Sequence, residues 1–105
     1  MHLTSYLDNG TLTIVLTGEI DHHSAKNYMQ SITAKLEAYS PQICILDFQE
    51  VTFMDSSGIA VVINALRYMT KIEGELAITG LQSQPMKVFH ASGIDKLVNI
   101  KEEVK

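Results

Sequence analysis

The order of apolar and polar residues along the chain predicts alternating strands and helices. Residues 3–7 and 11–17 flank Asp8-Asn9-Gly10, a turn sequence that tolerates positive φ, so we predict an initial β-hairpin. In the second strand apolar residues alternate with threonines, which indicates one buried and one partly wet face. The continuous apolar run 42–48 is typical of a central strand buried on both faces, and residues 49–55 are predicted to form a loop.

Three later segments have the spacing of core-facing helices. The first follows Ser24, a predicted N-cap, and ends before Pro41. The second is predicted over residues 57–72, with Gly74 as its C-terminal cap. Ser83 is predicted to cap the third helix, which ends at Gly93, and short strands are expected at 75–79 and 97–100.

This alternation predicts an α/β fold in one domain, residues 1–105. Parallel strands joined by right-handed crossovers form a mixed, mostly parallel sheet, with an antiparallel N-terminal strand and helices mainly on one face. Loops that leave parallel strands emerge at the same edge of a sheet. Segments 18–24, 49–57 and 80–83 should therefore converge there, and this edge is the candidate site.

Composition excludes several classes of protein. With 105 residues the chain has room for one hydrophobic core. The net charge is −4 and the eight Lys and Arg residues are scattered, so we expect no nucleic-acid partner. No apolar stretch is long enough to span a membrane and the start lacks a signal-peptide pattern, so we expect a cytoplasmic protein without a membrane partner. Cys44 lies in an apolar run and is predicted to be a buried thiol.

The segment Asp55-Ser56-Ser57-Gly58 stands immediately before or within the start of the second predicted helix. One interpretation is that these polar residues cap the helix, which explains one such residue but not three. The other is that a serine accepts a phosphate, because a helix N-terminus offers free N–H donors and a partial positive charge. Local physics does not choose between Ser56 and Ser57.

The loop Asp21-His22-His23 suggests two further alternatives. A metal site could add Asp47 and His90, but no ligand spacing ties these residues together, so we expect neither a metal nor a cofactor. A small serine hydrolase would use Ser56 as nucleophile and a histidine of this loop as base.

The hydrolase lacks its usual motif. Gly-x-Ser-x-Gly is absent, since Met54 stands where the first glycine is needed. No glycine-rich nucleotide-binding motif occurs either, so any kinase activity must come from a partner. The hydrolase is therefore the weaker hypothesis.

Three ordered segments resemble the STAS-domain anti-sigma factor antagonists of bacteria, in particular the sporulation type. They are Leu16-Thr17-Gly18-Glu19-Ile20-Asp21-His22-His23, then Val51-Thr52-Phe53-Met54-Asp55-Ser56-Ser57-Gly58, then Val88-Phe89-His90-Ala91-Ser92-Gly93-Ile94. The resemblance runs nearly end to end. One departure is Ala60, where many members of the family have a second glycine.

The resemblance implies that Ser56, directly after the aspartate of the motif, is the phosphorylation site. In this family an anti-sigma factor with serine kinase activity phosphorylates that residue, and the phosphorylated antagonist no longer binds the anti-sigma factor. A PP2C-type phosphatase removes the phosphate and restores binding. The unphosphorylated antagonist binds the anti-sigma factor and releases the sigma factor. Carried onto this sequence, the partner-binding residues are Asp21, Asp55, Ser56, Ser57 and Gly58. A STAS scaffold that is never phosphorylated is the remaining alternative.

Overall fold

Strands and helices alternate along the chain in the computed structural model, which describes residues 2–101. The five strands are β1 (His2–Asp8), β2 (Thr11–Ile20), β3 (Ile43–Met54), β4 (Glu75–Thr79) and β5 (Asn99–Lys101). The helices are α1 (Ala25–Tyr39), α2 (Ser56–Lys71) and α3 (Ser83–Ser92), and α3 is followed by a 3₁₀ turn, Ile94–Lys96.

The sheet has the order β1-β2-β3-β4-β5, with β1 antiparallel to β2 and all other neighbours parallel. Each crossover leads to the next strand in the same direction, so right-handed connections place all three helices on one face. The predicted mixed sheet with an antiparallel first strand is confirmed. The predicted hairpin is confirmed as well, because Asn9 and Gly10 both have positive φ, 50° and 81°, between Asp8 and Thr11.

The core lies between this face of the sheet and the helices. Neighbouring strands contribute buried side chains in register: Leu12 lies beside Cys44 and Cys44 beside Leu76. Phe48 of β3 meets Phe89 of α3 edge to face, with ring centroids 5.5 Å apart. The helix residues that close the core are Tyr28, Ile32, Leu36, Val62, Ala65 and Met69.

The opposite face of the sheet carries no helix in the described part of the chain. Ile43 and Ile45 of β3 point to it and are only half-buried. The prediction that this strand is buried on both faces was therefore wrong. A continuous apolar run also arises where one face is covered by helices and the other only by neighbouring side chains.

The predicted loop 49–55 was also wrong, because β3 continues to Met54. Its pairing with β4 ends at Asp47, whereas its pairing with β2 continues to Met54 through two register shifts. At the second shift Gly18 adopts a φ of 114°, which favours glycine. We call the resulting two-stranded extension, residues 18–20 of β2 and 49–54 of β3, the overhang.

The ends of α2 differ from their predicted positions. The helix begins at Ser56, one residue earlier than predicted, and Asp55 is its N-cap. At the other end the left-handed residue is Glu73, with a φ of 61°, rather than Gly74. A Cβ on Gly74 would lie 2.9 Å from the main-chain oxygen of Gln42, so this glycine permits a close approach of two main chains.

The start of α3 and the start of the last strand differ from their predicted positions by one or two residues. Gly93, with a φ of 80°, ends α3 as predicted, but the N-cap is Gln82, and Ser83 is already helical. Strand β5 begins at Asn99 rather than at residue 97, because residues 94–96 form the 3₁₀ turn. The range of β4 agrees with its prediction.

The single cysteine and the lengths of the helices test two predictions made from composition. Cys44 is buried as predicted, and burial raises the pKa of its thiol to about 12, so the thiol stays neutral. Among residues 2–101, no helix combines the length and apolar character needed to cross a membrane.

Candidate functional site

Main-chain and side-chain hydrogen bonds join the three segments that were predicted to converge at the carboxyl edge of the sheet. The amide of Asp55 donates to the carbonyl oxygen of Ile20 at 3.1 Å, which joins the second segment to the first. The side chain of Gln82 donates to the carbonyl oxygen of Gln49 at 2.6 Å, which joins the third to the second. The predicted convergence is confirmed.

Asp55 organises the start of α2. Its carboxylate accepts a hydrogen bond from the amide of Ser57 at 2.8 Å, and its carbonyl oxygen accepts one from the amide of Gly58 at 2.9 Å. This is the N-cap geometry that satisfies donors left free in the first turn of a helix. The capping interpretation is therefore correct for Asp55, and it leaves the two serines without that role.

The two serines differ in exposure. Ser56 is the first residue of α2 and is exposed, whereas Ser57 is half-buried and its amide is held by the Asp55 carboxylate. A group attached to Ser56 therefore reaches solvent at the end of the helix without disturbing the cap. This difference in exposure favours Ser56 over Ser57 as an accessible hydroxyl.

Gly58 lies buried beneath the first turn of α2. A Cβ at this position would lie 2.4 Å from Cε and 3.2 Å from Cβ of Met54, and 3.4 Å from Cγ2 of Ile20. The glycine therefore allows α2 to start close against the last residues of β2 and β3. Its contribution to the site is packing, which holds Asp55 and Ser56 near the overhang.

Asp21 organises the loop between β2 and α1. Its carboxylate accepts hydrogen bonds from the amides of Ser24 at 3.0 Å and His23 at 2.9 Å. The bond from the Ser24 main chain is the main reason that the pKa of Asp21 lies below its usual value, and partial desolvation opposes it. The loop thus holds a fixed carboxylate one residue beyond Ile20, which itself bonds to Asp55.

Ser24 has the predicted N-cap position but not the predicted bond. Its hydroxyl donates to the carbonyl oxygen of Glu19 at 2.9 Å and accepts from the amide of Asp21 at 3.0 Å. The residue has helical φ and ψ, and its side chain makes no capping hydrogen bond. Instead it folds the loop back onto β2, and the carbonyl oxygen of Asp21 accepts the amide of Ala25 at 2.9 Å.

Tyr28 links α1 to β2. Its ring is fully buried and its hydroxyl donates to the carbonyl oxygen of Thr17 at 2.7 Å, next to the bulge in β2. Burial raises the pKa of the phenol, and the charge on Asp21 raises it further. Helix α1 is therefore tied to β2 at the point where the overhang begins.

The sequence reasoning missed two glutamines at the start of α3. Gln84 accepts a hydrogen bond from the amide of Met54 at 2.9 Å and donates to the carbonyl oxygen of the same residue at 2.9 Å. Together with Gln82, it satisfies main-chain groups of the overhang on the side where β4 has already ended. No sequence signal identifies these contacts, because they depend on the overhang, which was predicted to be a loop.

No histidine ring is hydrogen-bonded to Ser56 among residues 2–101. His22 and His23 are exposed, with their rings edge to face. His90 lies in the last turn of α3, where its ring contacts Asp95 of the 3₁₀ turn. Six residues separate His90 from Gln84, which corresponds to about 9 Å along the helix axis. Asp47 accepts the amide of Gln49 at 2.9 Å. In the described part of the chain no three His, Cys, Asp or Glu side chains form a group suited to a metal ion.

The edge has a one-sided charge. Segments 18–24, 49–57 and 80–84 contain no Lys or Arg but include four acidic residues, Glu19, Asp21, Glu50 and Asp55. The same segments hold the exposed Ser56, at the positive end of a helix dipole. A phosphate on that serine would add to an edge that is already negative.

The chain was compared with sequence models of known protein families. The sequence model of the STAS domain matches residues 3–105. The chain belongs to the STAS domain family. This match confirms the resemblance that the three sequence segments indicate.

Individual relatives of this STAS domain are anti-sigma factor antagonists by name. The anti-sigma-B factor antagonist of Listeria monocytogenes is 28% identical over 97 residues, which cover 90% of this chain and 82% of that protein. The anti-sigma F factor antagonist of Lysinibacillus sphaericus is 30% identical over 84 residues, covering 80% of this chain and 72% of that protein.

Solved structures share the fold. The anti-sigma factor antagonist SpoIIAA in its unphosphorylated form superposes with a TM-score of 0.82 at 24% identity, covering 99% of this chain and 90% of that chain. Its phosphorylated form, a Bacillus cell fate determinant, superposes with a TM-score of 0.74, also at 24% identity, over 99% and 93% of the two chains. At this level of identity the likeness establishes the STAS fold.

Proposed function

We propose that this STAS domain is an anti-sigma factor antagonist whose binding is switched by phosphorylation of Ser56. The unphosphorylated form binds an anti-sigma factor that is also a serine kinase, and so releases a sigma factor in the cytoplasm. Phosphorylation ends this binding, and a PP2C-type phosphatase restores it. In this cycle the chain is a substrate and a switch rather than an enzyme.

The observation that carries the proposal is the position of Ser56. The residue is exposed at the start of α2, while the Asp55 carboxylate already caps the helix through Ser57. A kinase can reach such a hydroxyl without opening the fold. A phosphate there would meet the partial positive charge of the helix N-terminus, which favours its accommodation on the folded domain.

The charge of the edge explains how the phosphate would act on the partner. Phosphorylation adds about −1.5 to −2 charges at pH 7, next to Asp55 and near the Asp21 loop. A surface that fits the unmodified acidic edge would have to accept and desolvate this extra charge. A loss of roughly 2.7 kcal/mol weakens binding a hundredfold, so a single phosphate is sufficient for a switch.

The partner surface that we propose consists of Asp21, Asp55, Ser56 and Ser57, with Gly58 beneath them. Two of these residues are carboxylates held by main-chain amides, so they present fixed rather than mobile charges. Names of relatives support the identity of the partner as an anti-sigma factor.

The test uses the kinase-like anti-sigma factor encoded in the same genome. The full chain is incubated with this protein and ATP, and the phosphate is mapped by mass spectrometry. We expect phosphate on Ser56 in the wild type, none on Ser56→Ala, and phosphate still on Ser56 in the matched control Ser57→Ala, which keeps the acceptor hydroxyl. Phosphate on another residue would refute the site, and complete absence of phosphate would favour a scaffold that is never phosphorylated.

Calorimetry tests the charge mechanism separately. Ser56→Ala should bind the anti-sigma factor as the wild type does, because it removes only the hydroxyl. Ser56→Asp should bind more weakly, because it adds a negative charge at the same place. Equal affinities for the two variants would contradict repulsion as the basis of the switch.

A further inference from the structure

Strand β1 leaves one long edge of the sheet open. It is the terminal strand in the sheet order and runs over seven residues, His2–Asp8. Proteins commonly protect such edges with lysine, proline or a bulge, and β1 contains none of them. Tyr6 is 61% exposed and Leu7 is 48% exposed, so apolar surface accompanies the open backbone.

The hairpin geometry determines which main-chain groups of β1 point outward. Asp8 and Thr11 close a two-residue turn, and such closing pairs exchange hydrogen bonds. Pairs alternate along an antiparallel ladder, so even-numbered residues of β1 bond to β2. Leu3, Ser5 and Leu7 therefore direct their N–H and C=O groups away from the sheet.

The adjoining strand agrees with this phase. The carbonyl oxygen of Gly10 accepts the amide of Ile43 at 3.2 Å, so Gly10, directly before β2, faces β3. Thr11, the next residue, accordingly faces β1. The residues whose main-chain groups point outward, Leu3, Ser5 and Leu7, are therefore symmetrical about Ser5.

We propose that β1 is the interface of a homodimer, in which two copies pair antiparallel about Ser5. The sequence of the strand is self-complementary in this register. Ser5 faces Ser5 of the second copy, Leu3 faces Leu7, Thr4 faces Tyr6 and His2 faces Asp8, each of the last three pairs occurring twice. Hydrogen-bonding groups meet at Leu3, Ser5 and Leu7, the two leucines face each other, and a histidine faces a carboxylate.

A cavity beside Leu3 provides space for the second copy. It measures about 420 Å³, is open to solvent and is lined by His2, Leu3, Ser31, Ala34 and Lys35. Leu3 pairs with the buried Leu16 of β2, so both project toward the helix face. In the proposed register Leu7 of the second copy lies opposite Leu3 on this same face, next to the cavity.

The dimer leaves both candidate sites accessible. A two-fold axis perpendicular to the sheet at Ser5 makes one continuous sheet of ten strands with all helices on one face. The rotation reverses the direction of β2 and β3, so the two acceptor edges point in opposite directions. The interface is short, and we therefore expect a reversible dimer that forms with rising concentration.

Cysteine cross-linking tests the register. Residues of a hydrogen-bonded antiparallel pair have Cα atoms about 5.5 Å apart, which suits a disulfide. Ser5→Cys should form a cross-linked dimer on mild oxidation, whereas Asn99→Cys, on the opposite edge strand β5, should not. Cys44 does not interfere, because it is buried and its thiol is neutral. Equal cross-linking of the two variants would overturn the proposal.

Sedimentation equilibrium measures the dimer without a cross-link. Leu7→Lys should raise the dimer dissociation constant roughly tenfold or more, since the contact occurs twice. Leu97→Lys, at a leucine that is 68% exposed in another part of the surface, should leave it unchanged. A wild-type protein that stays monomeric up to millimolar concentration, or a dimer that tolerates Leu7→Lys, would refute the interface.

Amide hydrogen exchange supplies a residue-level check on the folded wild type. Exchange at Leu3, Ser5 and Leu7 should slow as protein concentration rises, because these amides become bonded only in the dimer. Thr4 and Tyr6 should be protected at every concentration through their bonds to β2. A concentration effect at Thr4 and Tyr6 instead would show that the register is wrong.

Discussion

The body of the sheet and the overhang differ in the contacts that hold their main chains. In the body, side chains such as Leu46 and Phe48 are fully buried against three helices. In the overhang, Val51 and Met54 are buried too, but the main-chain groups that lie beyond the end of β4 bond to the side chains of Gln82 and Gln84. The candidate site therefore depends, in addition to packing, on a few hydrogen bonds that can be changed one at a time.

The largest expected effect compares two phenylalanines on β3. Phe48→Ala removes a fully buried ring that packs on Phe89, and should lower the free energy of unfolding by about 3–5 kcal/mol. Phe53→Ala removes a ring that is 40% exposed in the overhang and should cost much less. Urea denaturation of both variants measures the difference, and similar losses would contradict the distinction between body and overhang.

Gln84→Ala should act mainly on the overhang and should lower the free energy of unfolding less than Phe48→Ala does. The change removes both hydrogen bonds to Met54 and should cost about 1–3 kcal/mol. Exchange of the Met54 amide should accelerate, whereas amides in the body should change only through global unfolding. Gln82→Ala is the control, since it removes one exposed bond to Gln49 and leaves Met54 paired. Unchanged exchange at Met54 in Gln84→Ala would show that this residue does not hold the overhang.

Asp55→Ala should weaken the start of α2 by about 1 kcal/mol, the usual effect of losing an N-cap. Ser56→Ala, one residue along, should change the free energy of unfolding little, because Ser56 is exposed and is not the cap. Thermal or urea unfolding of the pair measures the difference. An equal loss in Ser56→Ala would mean that the serine has a structural role that its exposure does not indicate.

The smallest expected effect is a pH dependence at Asp21. Its pKa is lower in the folded protein than in the unfolded chain, where it is about 3.9, so its bonds stabilise the fold above that pH. This contribution should be lost as the pH falls through the lower, folded-state pKa. The stability difference between the wild type and Asp21→Asn should therefore shrink in acid. A difference that does not vary between pH 7 and pH 2 would contradict this role.

The sequence pattern predicted the order of elements and the convergence of the site loops. It could do so because periodicity reports which residues face the core, and right-handed crossovers restrict how parallel strands connect. It missed the overhang, since Gln49, Glu50 and Thr52 are polar and exposed there and do not alternate as a half-buried strand does. It misjudged Ser24 because a serine before a helix can bond to the loop rather than to the helix.

At the candidate site, residue types and family segments led to the prediction of Asp21, Asp55 and Ser56 as site residues. They did not show that Asp55 is the cap or that Ser56 is exposed while Ser57 is half-buried. They also did not show that a Cβ at Gly58 would lie only 2.4 Å from Cε of Met54. The role of Gln84 could not be predicted either, because periodicity and motifs depend on neighbours along the chain. Its bonds to Met54 join residues thirty positions apart, and only folding brings them together.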